Sequence, residues 1–520
     1  MNAWQQHLVI VPVVLPLAAA AVLLAIDERR RALKRSVAFV CLLALLGAAV
    51  ALVRAADQGA PAVYRVGDWP APFGIVLVAD RLSAVMVLLA AVLGLAAFLF
   101  ACTHWDRAGP RFHSLLQVLL MGVDGAFLTG DLFNLFVFFE VLLAASYGLA
   151  LHGSGAARVQ ASLHYIVVNL TASLLFLIGA ALIYGVTGTL NLADLGVRIP
   201  AVAAADRGLA EAGAGMLAVA FLVKAGSWPL CFWLPRSYGA ACAPAAALFA
   251  ILTKVGIYAV LRVLPLFFGA AGGEPASFAR EWLTIGGLLT LTYGAIGVFG
   301  AQELSRLAGF SLIASCGTVL AAVGAGQAAV SGAALYYLIA STLGVSALFL
   351  LIELVERSRA PGADMLAITA EAFGSPEGEE REEVGVAIPG TWAVLGLSFV
   401  ACALLLAGLP PLPGFVAKLA LLDALLRIAP IALPTWVLLA LLMFSGLATV
   451  IAASRTGVRI FWTPERPMSA RVGVFEILPI LILLGAGIAL AIEAGGVMRY
   501  LDAAAQALHA PSGYIDGVLR

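Results

Sequence analysis

Apolar runs long enough to cross a bilayer recur along the whole 520-residue chain, and no other feature restricts its fold as strongly. A hydrocarbon core about 30 Å thick is crossed by roughly twenty helical residues, and a helix satisfies every backbone N–H and C=O group from within. Such runs are read at 7–26, 36–53, 75–101, 113–130, 132–151, 162–185, 212–230, 244–268, 282–300, 307–325, 330–354, 394–424, 432–453 and 473–494, fourteen in all. Only the Gly130-Asp131 turn separates the fourth from the fifth. The run from His7 to Ile26 has no basic segment before it and no small-residue cleavage site after it, so it reads as a retained span. The expected fold class is therefore all-α, a polytopic membrane protein. Composition agrees: 62% of residues are hydrophobic and 12% charged, against about 45–50% and about 25% in soluble domains.

Charge and cysteine placement exclude several functions. The net charge is zero, with no basic cluster interleaved with aromatics, so nucleic acid is not an expected partner. The six cysteines fall singly in apolar stretches without a C-x-x-C pair, which reads as small buried hydrophobes rather than a zinc site or disulfide framework. No Rossmann glycine fingerprint, iron–sulfur spacing or haem histidine pair is present, so neither a cofactor nor a metal is expected. The first connection, DERRRALKR at 27–35, is the most basic stretch, and Lys and Arg are in excess on its side. That side is expected to be cytoplasmic, and an even number of spans puts both termini outside the bacterial inner membrane. The long polar connection 356–389, with its acidic run at 378–383, reads as a solvated cytoplasmic loop.

An ionisable side chain within a span costs at least about 2.5–3.5 kcal/mol on insertion scales, so each one calls for a reason. Glu140 sits mid-run in NLFVFFEVLL, too short to reach water; its bland reading is a carboxyl that fixes helix packing. Lys224 and Lys254 lie near the middle of the seventh and eighth runs with no acid beside them on their own helix, and Glu140 is the obvious partner. Burial disfavours the charged form of an ammonium group and a nearby carboxylate favours it, so a Glu–Lys pair of variable separation can switch a proton on and off. Two lysines also flank helix breaks. Lys224 stands five residues before Pro229 in KAGSWP, and Lys418 five after Pro413 in GLPPLPGFVAK, where Pro410, Pro411 and Gly414 complete the break. A lysine beside a broken helix at matching positions of two five-helix units is the pattern of an inverted-repeat transporter. Asp124 and Asp131, near the turn at 130–131, read either as helix-end residues or as an ion entrance or exit, and His164 either as an interfacial histidine or as a proton feed toward Glu140.

The segment GDLFNLFVFFEVLLAASYGL (130–149) resembles the D-type subunit of the Mrp, or Pha, multisubunit cation/proton antiporters. So do VGDWPAPFGI (66–75), FWLPRSY (232–238), TKVGIY (253–258) and GLPPLPGFVAK (408–418), which together span most of residues 60–425. The first two are similar to the D-type subunit rather than to its relatives in respiratory complex I and membrane-bound hydrogenases. The resemblance implies a fourteen-helix fold with the fourth to eighth and ninth to thirteenth helices as inverted repeats. The corresponding divisions are 1–105, 106–268, 269–453 and 454–520. It implies a proton relay through Glu140, Lys224, Lys254 and Lys418. It also implies partners: a homologous large subunit, small membrane subunits, protons, and Na+ or K+. The chain departs from the wider pattern in its eleventh run, LYYLIASTLGVSALFL (335–350), where Ala340 and Val345 stand at the likely places of a histidine and a lysine. Water held by Ser341, Thr342 or Ser346 would then have to link Lys254 to Lys418. Cys231 and Tyr238 replace histidines found in relatives. The sequence leaves two rival functions open: a pumping subunit of a redox complex, and a structural subunit without transport of its own.

Overall fold

Among the described residues of the computed structural model, twelve helices are long and apolar enough to cross a membrane, and two shorter apolar ones, Val11–Ala25 and Phe112–Leu128, accompany them. Residues 3–268, 273–358, 390–428, 430–462 and 472–519 are described; the expected acidic loop falls almost wholly outside them. The helices are numbered α1 (Ala3–Leu8), α2 (Val11–Ala25), α3 (Arg31–Asp57), α4 (Arg81–Ala101), α5 (Phe112–Leu128), α6 (Leu132–Ala150) and α7 (Ala156–Thr187). There follow α8 (Leu192–Arg198), α9 (Arg207–Ala225), α10 (Leu234–Ala240), α11 (Ala243–Phe267), α12 (Gly273–Gly300), α13 (Leu304–Gly324) and α14 (Ala328–Ser358). The last six are α15 (Gly390–Ala407), α16 (Pro413–Leu426), α17 (Leu433–Gly457), α18 (Val474–Ile492), α19 (Ala494–His509) and α20 (Ser512–Leu519).

Local chemistry sets the ends of these elements. The hydropathy of the third run predicts helix from residue 75, but Val76–Ala79 form a strand paired antiparallel with Ala62–Arg65. The helix starts only at Arg81, because Asp80 caps it. The Asp80 carboxylate accepts from the Ser83 amide at 2.9 Å, and the Ser83 hydroxyl accepts from the Asp80 amide at 2.9 Å. Asp131 likewise caps α6 by accepting from the Asn134 amide at 2.8 Å. The seventh run ends early. Gly226 takes the left-handed conformation (φ 69°) that closes α9, and the chain resumes a helix only at α10. The twelfth run is interrupted in the same way between α15 and α16, with Gly408 at φ 79°.

Burial sorts the helices into shells. In α11, α13 and α14, 94% of the apolar window is buried, against 33% in α3, α15 and α18. The first three are thus the interior of the bundle. The exposed Val40, Leu43, Leu163, Val167 and Leu481 present the outer helices to lipid or to neighbouring subunits. Small residues bring backbones together: a Cβ on Gly294 would meet the Ala314 backbone at 2.5 Å, which holds α12 tightly against α13. At the end away from the basic connection, Arg262 of α11 grips Asp80 with both terminal nitrogens, at 2.5 and 2.8 Å, and lies 5.0 Å from the Tyr514 ring of α20. This bidentate pair ties α4, α11 and the C-terminal helix together.

Candidate functional site

The candidate site is a file of buried charges carried by α6, α9, α11 and α16. Glu140 is half-buried on α6, and among the described residues its Oε1 meets no hydrogen-bond donor. Lys224 occupies the last turn of α9, where a cation complements the negative end of the helix dipole. It is 4% exposed; its Nζ donates to Asn169 Oδ1 of α7 at 3.3 Å and stands 5.8 Å from the Phe139 ring centre. Among the described residues, Glu140 and Lys224 make no contact ion pair. The backbone of α11 reaches this point closely because residue 256 is glycine: a Cβ there would lie 2.5 Å from the Ala225 amide and 2.9 Å from the Lys224 carbonyl carbon.

Lys254, two residues before Gly256 on α11, is wholly buried. Its Nζ donates to Ser315 Oγ at 3.0 Å and to Cys316 Sγ at 3.4 Å, both on α13. Ser315 in turn shares a hydrogen bond of 2.7 Å with Ser341 Oγ on α14. A fully buried ammonium therefore opens onto two successive hydroxyls, each able to donate and to accept. Lys418 lies in α16, just past the second break, and donates to the Ala407 carbonyl at the end of α15 at 2.8 Å. Glycines make that geometry possible. A Cβ at 408 would strike Lys418 Cδ at 2.5 Å, one at 446 would stand 3.0 Å from Nζ, and one at 414 would collide with the Leu405 carbonyl.

The residues singled out in the sequence separate into those on this file and those off it. Ser341 joins it through Ser315. The Thr342 hydroxyl donates to Leu338 O at 2.6 Å and that of Ser346 to Ala247 O at 2.8 Å, so their protons are engaged by backbone and only lone pairs stay open. Pro229 falls in the break after α9, Pro410 and Pro411 in the break before α16, and Pro413 and Gly414 in its first turn. Asp131 serves as a helix cap. His164 turns outward on α7, bonded to Gln160 O at 3.0 Å, and the fold does not bring it to the lysines. Asp124 is wholly buried within α5, not at a surface. Three members of the file went unrecognised in the sequence: Asn169, Ser315 and Cys316. A mid-run asparagine was a usable signal; a Ser-Cys pair in an apolar run becomes informative only once the facing helix is known. Among the described residues, Cys102, Asp106 and His113 bring possible metal-ligand atoms within 4.8 Å of one another. Asp106 is already engaged by Arg35, at 2.7 and 3.0 Å, so the group reads as an ion-pair cluster.

The fold and its interior file of ionisable side chains define a polytopic membrane protein built around charges that a merely structural bundle has no need to bury. The chain belongs to the NADH:quinone oxidoreductase/Mrp antiporter transmembrane family, whose model matches residues 129–449. It is 54% identical to the probable D-type K(+)/H(+) antiporter subunit of Rhizobium meliloti, with 100% of this chain and 98% of that one covered. It is 34% identical to the D-type Na(+)/H(+) antiporter subunit of Alkalihalophilus pseudofirmus, with 99% of each covered. Among solved structures, a chain of the Mrp complex from Dietzia sp. superposes with a TM-score of 0.84 at 28% identity, covering 100% of both chains.

Proposed function

We propose that this protein is the D-type, proton-carrying subunit of a multisubunit Na+(K+)/H+ antiporter in the bacterial inner membrane, with both termini outside. It acts as a transporter rather than an enzyme. It works beside a homologous large subunit and small membrane subunits, and a proton moves through it along Glu140, Lys224, Lys254 and Lys418. The observation that carries this reading is Lys254: a wholly buried ammonium with no carboxylate partner among the described residues, hydrogen-bonded into the Ser315–Ser341 pair. A cation in such a place is costly unless it is used.

The proposed cycle uses side chains of this chain alone. With Glu140 near, Lys224 holds its proton; as the pair separates, the ammonium passes it inward along the plane toward Lys254. Lys254 hands a proton to Ser315 Oγ while Ser315 gives its own to Ser341 Oγ and Ser341 passes its own to water, so each hydroxyl ends with one proton and Lys254 ends as a neutral amine. Water about Ser341 and the open lone pairs of Thr342 and Ser346 completes the path to Lys418. Residues 106–268 and 269–453 are the two inverted repeats of this scheme. Lys224 just before the first break and Lys418 just after the second support that division.

Glu140→Ala and Lys224→Ala should each abolish exchange in vesicles while the complex still assembles, as checked by co-purification of its subunits. Full exchange with Glu140→Ala would remove the carboxyl from the path. The isolated chain, reconstituted alone, should exchange neither Na+ nor K+ for protons at the rate of the intact complex.

A further inference from the structure

A second buried acid lies outside the file just described. Asp124 of α5 is wholly buried, and among the described residues neither of its oxygens has a hydrogen-bond partner. It precedes residue 129, where the family match begins. A carboxylate enclosed without a cation or donor carries a penalty of several kcal/mol, which uptake of a proton relieves.

The surroundings of Asp124 form a polar stripe rather than an isolated defect. His113, Gln117 and Asp124 are separated by four and seven residues and fall on one face of α5, each 6% exposed or less. Two helical turns, roughly 10 Å, divide Gln117 from Asp124, and Cys41 of α3 packs against Gln117. Cys41 Sγ donates to Gln117 Oε1 at 3.4 Å. At the other end, His113 Nε2 stands 3.4 Å from Asp106, which Arg35 grips, and the Arg35 side chain is 31% exposed. The stripe thus runs from an accessible ionic cluster on the side of the basic connection to a closed acid. Of the other elements packed on α5, α2 contains no titratable residue and α4 only Arg81 at its start. Besides Arg35 and Cys41, α3 carries Arg31, Lys34, Arg54 and Asp57 toward its ends. On α6 stand Glu140 and Tyr147, and on α11 Lys254, Tyr258 and Arg262; Glu140 and Lys254 belong to the central file, and Arg262 pairs with Asp80.

We propose that Asp124 is a proton-binding site separate from the central file, loaded from the Arg35–Asp106–His113 end by way of Gln117 and Cys41. A proton enters from hydronium at the accessible end, Cys41 gives its S–H proton to the Asp124 carboxylate and regains one from the stripe, so the net change is one O–H bond broken in hydronium and one formed on Asp124; release reverses these steps. The protein then holds one exchangeable proton in its N-terminal helices, and this holds whether or not the lysine relay operates.

Infrared difference spectroscopy of the intact complex across a pH step tests this directly. The wild type should lose a protonated-carboxyl C=O band as pH rises. That band should shift in D2O and with isotope-labelled aspartate, and be absent in Asp124→Asn. It should survive Glu140→Gln, which separates it from the relay. Isotope labelling needs no substitution, so the test stands even if Asp124→Asn fails to assemble. An aspartate band that persists unchanged at every pH would mean a permanently protonated packing residue and would overturn the proposal. So would difference spectra of wild type and Asp124→Asn that superimpose.

Discussion

At the scale of single residues, Lys418 separates a proton carrier from a fixed charge. Its Nζ is held by the Ala407 carbonyl, so a cation of similar length would preserve the electrostatics of the helix break. Arginine, however, does not give up its proton in proteins. Lys418→Arg should therefore assemble normally and carry no proton flux in vesicles, as should Lys418→Ala; near-normal flux in the arginine variant would make Lys418 structural. Glu140→Asp should retain part of the exchange lost in Glu140→Ala, because the charge survives on a shorter arm. These four positions were readable from the sequence because an ionisable residue in an apolar run is expensive wherever it points. Asn169 offered a weaker signal of the same kind; Ser315 and Cys316 offered none, since small polar residues are cheap in a helix and their role depends on what faces them.

At the scale of elements, the helix breaks rest on glycine. Gly408 sits at φ 79°, a conformation that costs an L-residue about 1–2 kcal/mol, and a Cβ there would meet Lys418 Cδ at 2.5 Å. Gly408→Ala should lower the thermal stability of the purified protein by about that amount or more and displace the lysine, so exchange falls along with melting temperature. Gly185 of α7 supplies the control. Nothing lies within 4 Å of a Cβ there, so Gly185→Ala should raise stability by roughly 0.5–1 kcal/mol and leave exchange intact. Prolines and glycines in the seventh and twelfth runs signalled both interruptions. The strand at Val76–Ala79 escaped notice because four apolar residues running into a helix have no period of their own; Asp80, three residues before Ser83, was the mark of the true start.

At the scale of the whole molecule, ionic clusters outside the bilayer fasten helix ends that are far apart in sequence. Asp106, between α4 and α5, is the best example. Burial works against its charge, but the nearby His113 imidazole and the hydrogen bonds from Arg35 outweigh that and hold the carboxyl at a pKa of about 2. A carboxyl depressed in the folded state stabilises it above the ordinary aspartate value, about 3.9, and that contribution fades as pH falls toward 2. Thermal melts should thus lose on the order of 2 kcal/mol of stability between neutral pH and pH of about 2 from this group. Asp106→Asn should be less stable at neutral pH and lose correspondingly less on acidification; equal acid sensitivity would show that other groups carry it. The sequence by itself determined the membrane class, the places of the apolar helices, the two breaks and the four costly charges, because hydropathy and backbone satisfaction act locally along the chain. Only the tertiary structure decided which faces meet. It set Lys254 against Ser315 and Ser341, turned His164 outward, made a cap of Asp131 and enclosed Asp124. Lipid and protein interior are equally apolar, so no pattern along a single helix distinguishes the face that packs inward from the one that meets the bilayer.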